Sequence, residues 1–263
     1  MICRARSGIA IAGICEAGHG LMRTIFVTGT DTGVGKTVTT AALAVASRRC
    51  GISVGVMKPV ETSVVTGQPS DAGRLKQAAQ VSDSLDLVRP YAFRLPVAPL
   101  DAARVEQRRI KIPTIMRAYR QLQAQYDLLL IEGVGGVHVP ITPKLDVLDL
   151  IEKLKAPVLV VGRVGLGGVN HAMLTLNALR ERKIPILALV LNQTVPVKTA
   201  VARRQERSTL VLLRESAGVP VIGPLPYMAD VDARFEWAVG KLAASREMKK
   251  LTHLVLASAR GSR

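Results

Sequence analysis

The chain has 263 residues, 48% hydrophobic and 3% aromatic, with 36 basic against 20 acidic side chains and a formal net charge of +16. That length supports one sizeable core, and no apolar run approaches the ~20 residues that cross a bilayer, so a membrane span is excluded. The basic residues fall in scattered pairs (Arg48-Arg49, Arg108-Arg109, Arg203-Arg204, Lys249-Lys250) with no aromatics interleaved, which favours generic surface charge over a nucleic-acid footprint.

Residues 1–21 join Arg4 and Arg6 to a short, Gly-rich apolar stretch, Gly8 to Cys15, and Met22 stands directly before the first strand. We set this stretch aside as an N-terminal extension, disordered or a start-site artefact, since it lacks a small-residue cleavage site. From Thr24 the pattern alternates. Thr24–Val27 reads as a buried strand, 29–35 as a glycine loop, and Lys36–Arg49 as an Ala- and Leu-rich helix that Gly51 ends. Ser53–Met57 is a second strand, closing at Lys58-Pro59. Further strands are expected at Leu128–Ile131, Val158–Val161, Ile186–Leu191 and Val219–Ile222, and helices at Pro113–Gln125, Asp146–Leu154, Val169–Arg182 and Thr199–Ala217. Alternation of this kind, in aliphatic rather than half-polar strands, predicts an α/β fold: a mostly parallel central sheet with helices on both faces. The domain is placed at 22–245, and 246–263 is set apart as a basic C-terminal tail. Cys3, Cys15 and Cys50 have neither metal-ligand spacing nor an even disulfide framework, which suits a cytoplasmic protein.

Ligands of such sheets sit beyond the C-terminal strand ends, and the motifs fall there. Gly29-Thr30-Asp31-Thr32-Gly33-Val34-Gly35-Lys36-Thr37 joins a strand to a helix. Its glycines let backbone N–H groups converge on phosphate oxygens at a helix N-terminus. Lys36 would reach the β/γ-phosphates and the Thr37 hydroxyl would ligate Mg2+, so the chain is expected to bind a nucleoside triphosphate as a single P-loop NTPase domain. Position 30 is Thr where the common motif has its first Gly. Glu132 ends the run Leu128–Ile131 and precedes Gly133-Val134-Gly135-Gly136, the place for a metal-binding carboxylate. Asp71, after Ser70, fits either a second metal ligand or a helix cap. Lys58 ends the second strand on the same edge, where a substrate role and an ordinary surface lysine are equally open.

Taken together, these segments resemble the dethiobiotin synthetase family. The resemblance rests on the loop 29–37, Lys58-Pro59-Val60-Glu61-Thr62, Ser70-Asp71, Pro90-Tyr91-Ala92-Phe93 and Glu132–Gly136. It continues with Gly165-Leu166-Gly167-Gly168-Val169-Asn170-His171-Ala172, Asn192 and Gly223-Pro224-Leu225-Pro226, covering about Met22 to Tyr227. It implies carboxylation of 7,8-diaminopelargonate with CO2, phosphorylation of the carbamate by ATP, and closure of a cyclic urea. It implies Lys58 and Lys36 as catalytic residues and Thr37, Asp71 and Glu132 around Mg2+. It implies nucleotide contacts from Gly33, Val34, Gly35, Lys36, Thr37, Val38, Asp71, Glu132, Gly133, Val134, Gly135, Asn192, Gln193, Pro226, Tyr227 and Met228. Thr32 and Thr62 would meet the substrate near its amines, and Leu166, Gly167 and Asn170 of a second subunit would hold its carboxylate tail, so a homodimer is implied. Ser63 stands where the family often has Gly, which would narrow the substrate loop, and Leu100 where some members have His.

Two rivals were weighed. An amidotransferase synthetase would carry a glutaminase domain with a reactive cysteine, for which nothing after Tyr227 leaves room. A ParA- or MinD-like ATP switch on DNA or membrane would suit the +16 charge. However, the signature lysine of that branch falls where this chain has Asp31.

Overall fold

The computed structural model describes residues 23–258; the extension over 1–21 lies outside the described residues. In chain order the strands are β1 (Arg23–Gly29), β2 (Val54–Met57), β3 (Val60–Glu61), β4 (Tyr91–Ala92), β5 (Leu128–Glu132), β6 (Pro140–Thr142), β7 (Leu145–Asp146), β8 (Val158–Arg163), β9 (Ile186–Asn192) and β10 (Val221–Leu225). The helices are α1 (Lys36–Arg49), α2 (Asp71–Ala79), α3 (Leu85–Val88), α4 (Pro99–Val105), α5 (Ile112–Gln123), α6 (Val147–Leu154), α7 (Gly168–Glu181), α8 (Ala200–Ser216), α9 (Phe235–Ala244) and α10 (Arg246–Ala257).

Six strands form one parallel sheet in the order β10-β9-β8-β1-β5-β2, while β3-β4 and β6-β7 form two small separate pairs. Strand side chains alternate between faces, and here both faces are covered. Phe26, Leu129, Ile131, Val158, Val160, Leu189 and Leu191 pack with α5, α6 and α7. Ile25, Val27, Leu128, Leu130, Leu159, Val161, Ala188 and Val190 pack with α1, α2, α9 and α10. This two-sided burial is why the strands read as unbroken aliphatic runs. β1 lies where the chain's progress across the sheet reverses, with β5 and β2 to one side and β8 to β10 to the other. The loop after β1 therefore opens at the topological switch point.

Helix α1 lies enclosed. Ten of its 14 residues are buried, among them Val38, Ala41, Ala42, Leu43, Ala44 and Ala46, because the sheet, α2, α9 and α10 all lie against it. Small side chains suit that position, since close approach on several sides leaves no room for long ones.

The expected strands and helices are present with ends moved by a few residues. The last strand begins at Val221 rather than Val219: Pro220 has no N–H for the ladder, although its carbonyl accepts the Leu189 N–H at 2.9 Å. The stretch set apart as a basic tail is, over Arg246–Ala257, the helix α10. Met248, Leu251, Thr252 and Val255 turn inward at spacings of three and four, and Ser245 caps the helix by accepting the Met248 N–H at 3.2 Å. Ser63 adopts φ 64°, the left-handed region natural to glycine, which costs a serine ~1–2 kcal/mol.

Candidate active site

The loop from Gly29 to Gly35 leaves β1 and enters α1 without a side-chain cap, so the first N–H groups of α1 face the loop's concavity. Asp31 tightens the turn by accepting the Thr32 N–H at 2.7 Å. Lys36 folds back across it, its Nζ donating to the Asp31 carbonyl at 2.9 Å. Gly35 has φ 93°, and a Cβ there would lie 2.1 Å from Asn192 Nδ2, so only glycine fits. Asn192, buried at the end of β9, in turn donates to the Val34 carbonyl at 3.2 Å. Burial and the neighbouring Lys58 charge lower the Lys36 ammonium from 10.5 to about 8.

Beside the loop lies a cluster built from four elements. Lys58, at the end of β2, is 3% exposed, and its Nζ donates to Asp71 Oδ2 at 3.0 Å and to Glu132 Oε1. The Gly133 carbonyl is 3.4 Å away. Thr37, in the first turn of α1, donates its hydroxyl to Glu132 Oε1 at 2.8 Å. Burial on its own would lower the Lys58 pKa, but Glu132 and Asp71 outweigh it and raise the value. Burial pushes the Glu132 carboxyl up against the pull of Lys58, while for Asp71 the opposing effect of burial is overcome and Lys58 holds the carboxyl down.

Thr37, Asp71 and Glu132 thus come together as three hard oxygen donors, the two carboxylates on one ammonium and the hydroxyl on Glu132. Glu132 Oε2 is buried with no hydrogen-bond partner. An unsatisfied carboxylate oxygen beside a hydroxyl and a second carboxylate fits Mg2+, which takes one or two carboxylates and completes its shell with water and phosphate oxygens. Asp71 combines the two roles left open for it only in part. Ser70 is the cap of α2, accepting the Gly73 N–H at 3.1 Å, and the Asp71 carboxylate turns to Lys58.

The other expected positions lie along the same edge of the sheet. Val34, Val38 and Gly135 are buried, Gly133 backs onto the Phe26 ring, and Gly33, Thr32, Pro226 and Tyr227 are exposed. Val134, Thr62 and Met228 are half-buried. Gln193 accepts the Tyr227 N–H at 3.0 Å, tying the end of β9 to the segment after β10. Leu166, Gly167 and Asn170, where α7 begins, are exposed, Leu166 at 83%. Sequence reasoning gave no role to Glu61, which it met only as part of the segment 58–62, nor to Arg89. Glu61, buried at the end of β3, accepts the Asp71 N–H at 2.5 Å and pairs with Arg89 at 2.8 Å. The pair is 28 residues apart, and the signal for it was a charged residue at the end of an otherwise buried, family-like segment.

The family described as an AAA domain matches residues 23–234. The chain is 44% identical over 200 residues to the ATP-dependent dethiobiotin synthetase BioD of Anaeromyxobacter dehalogenans, covering 73% of this chain and 90% of that protein. To the BioD of Thermodesulfovibrio yellowstonii it is 39% identical over 218 residues, 79% of this chain and 90% of the relative. Among solved structures, pNOB8 ParA bound to nonspecific DNA superposes with a TM-score of 0.51 at 14% identity, covering 92% of this chain and 100% of that one. At that identity the likeness is one of fold alone, a distant relation for the DNA- or membrane-switch alternative.

Proposed function

The chain belongs to the ATP-dependent dethiobiotin synthetase family, and from that membership we propose the roles of its residues in closing the cyclic urea of dethiobiotin from 7,8-diaminopelargonate, CO2 and ATP. It is an ATP-dependent cyclo-ligase of biotin biosynthesis. The observation that carries the assignment of roles is the buried Lys58 ammonium set between Asp71 and Glu132 beside Thr37.

In this reading one amine of the substrate adds to CO2 and loses a proton to give a carbamate. A carbamate oxygen attacks the γ-phosphorus of ATP and ADP leaves. The second amine then attacks the carbamate carbon, phosphate departs, and the ring closes. No covalent enzyme nucleophile is needed, and catalysis is positioning with neutralisation of oxyanions. Lys58 neutralises the carbamate and the phosphoryl group in transfer. Lys36 and the backbone N–H groups of Gly33 to Val38 hold the β- and γ-phosphates. Thr37, Asp71 and Glu132 would hold Mg2+, which when bound offsets the charge of the phosphate oxygens.

Thr32 and Thr62 meet the amine end of the substrate. Leu166, Gly167 and Asn170 of a second subunit take its carboxylate tail, so the working unit in this reading is a homodimer. Their exposure in the single chain supports this. Asn192, Gln193, Pro226, Tyr227 and Met228 form the nucleotide's adenine and ribose side, and Gly133 to Gly135 meet the nucleotide beside Glu132, where the Gly133 carbonyl lies 3.4 Å from Lys58 Nζ. The reading places the enzyme in the cytoplasm; no helix among the described residues is long and apolar enough to cross a membrane.

The test is ATP hydrolysis by the purified chain with Mg2+ and bicarbonate, with and without 7,8-diaminopelargonate, the product identified by mass spectrometry. Diamine-dependent phosphate release with dethiobiotin formed, and lost in Lys58→Gln, is the expected result. ATP binding that the diamine leaves unchanged would sink the proposal.

A further inference from the structure

Glu61 is a buried carboxylate to which the chemistry above gives no task. Both of its oxygens are engaged. Oε1 accepts the Asp71 N–H at 2.5 Å, and Oε2 accepts the Ala72 N–H at 3.4 Å and the Arg89 guanidinium at 2.8 Å. These are the first two N–H groups of α2, where a negative charge also meets the positive end of the helix dipole. Ser70 already caps that helix at Gly73 N, so Glu61 adds a second hold on the residue whose carboxylate meets Lys58.

The contacts close into a ring. Lys58 Nζ holds the Asp71 carboxylate, Glu61 holds the Asp71 backbone, and Arg89 holds Glu61. The residue before Arg89, Val88, accepts the Lys58 backbone N–H at 2.8 Å. Phe93 N donates to the Glu61 carbonyl at 2.9 Å, fixing β3 against β4 at the same point. A buried ion pair repays little of its own desolvation, and an apolar pair would fill the same volume. What an apolar pair could not do is grip the Asp71 N–H.

We propose that Glu61, held by Arg89, is a positioning residue. It aims the Asp71 carboxylate at the Lys58–Glu132 pair and so sets both the metal affinity of the site and the phosphoryl-transfer step. The proposal rests on the synthetase reading for its second half. Nucleotide held by Gly33 to Val38 alone does not depend on the ring.

Glu61→Gln and Arg89→Met, singly and together in the full chain, test it. In each, kcat for dethiobiotin formation falls about tenfold while KM for ATP stays within about twofold, the scale on which partners behind a metal ligand act. Mn2+ binding to the protein–ATP complex, followed by electron paramagnetic resonance, weakens by about tenfold, and ATP binding in EDTA is unchanged. The double variant is no worse than the weaker single one, as expected of groups acting as a unit. A lowered Tm with kcat and Mn2+ affinity both unchanged makes the pair a packing feature and overturns the proposal. A wild-type chain that forms no dethiobiotin overturns the synthetase reading instead, and the Mn2+ measurement, which needs neither diamine nor turnover, then decides the role of Glu61. Should Glu61→Gln fail to fold, Arg89→Gln, which removes the charge facing Glu61 Oε2, is read in the same way.

Discussion

Lys36 offers a charge whose cost can be counted. Desolvation by burial, followed by the Lys58 charge, lowers its ammonium from 10.5 to about 8. The difference amounts to about 3 kcal/mol, at 1.36 kcal/mol for each tenfold change in proton affinity. The sign follows from which state gives up the proton first. The unfolded chain keeps it to about pH 10.5 and the folded chain only to about pH 8. The folded state therefore bears the full cost below pH 8, and the cost fades as pH rises toward 10.5. A polyphosphate beside Nζ restores the charge, so binding takes up protons. A growing share of the free protein carries neutral Lys36 as pH passes from below 8 to above it. Titration calorimetry of ATP in EDTA, repeated in buffers of different ionisation enthalpy, should then show proton uptake that is larger at pH 9 than at pH 7. Lys36→Arg, which cannot lose its proton, should show none. Uptake near zero at both pH values, or uptake that persists in Lys36→Arg, would refute the reasoning.

Three further outcomes are expected. Gly35→Ala sets a Cβ 2.1 Å from Asn192 Nδ2 at φ 93°, so nucleotide affinity measured by calorimetry should fall more than about tenfold, the reach of a small displacement in a phosphate cradle. Unchanged affinity would mean that the loop yields freely. Lys58→Met leaves Glu132 buried without its counter-charge, which costs about 3–5 kcal/mol where the carboxylate stays ionised. Because the folded Glu132 is raised, that variant should be most stable in acid and lose stability as pH rises through the folded pKa, seen as a Tm that falls from pH 5 to pH 8. A Tm flat across that range contradicts the burial argument. Leu251→Ala, on α10, should cost about 2–5 kcal/mol and lower Tm by several degrees in calorimetry. A shift under about 1 °C would mean that the helix is only loosely attached.

Much of the architecture was legible because its signals are local. The limits of α1 are those read from the sequence, since Gly35-Lys36 opens it and Gly51 lies just past its end. β1, β5, β8 and β9 are aliphatic because both faces of the sheet are covered. The strand-end position of Glu132 followed from the run before it. Other features depend on distance. β3 and β4 are two residues each, too short for any periodicity, and they exist because each pairs with the other across thirty residues of chain. The Glu61–Arg89 pair has the same origin. The C-terminal helix is different in kind: Met248, Leu251, Thr252 and Val255 carry a helical period that is local. The Lys249-Lys250 pair interrupts it with charge, and both lysines turn out to solvent. Ser63 departs from the family pattern at a position whose φ of 64° is one that glycine adopts without strain.

The enclosure of α1 has a consequence for how the protein breathes. A helix covered by the sheet on one side and three helices on the others has no route to solvent short of losing the core, so its amides should exchange only when the whole domain opens. The phosphate-binding loop is the N-terminal end of that helix. A ligand held there is coupled to global opening rather than to a local flap, and each tenfold gain in its occupancy ratio slows exchange along α1 by about tenfold. Nucleotide binding at one end of the molecule would thus be read out in the hydrogen exchange of its most sheltered interior.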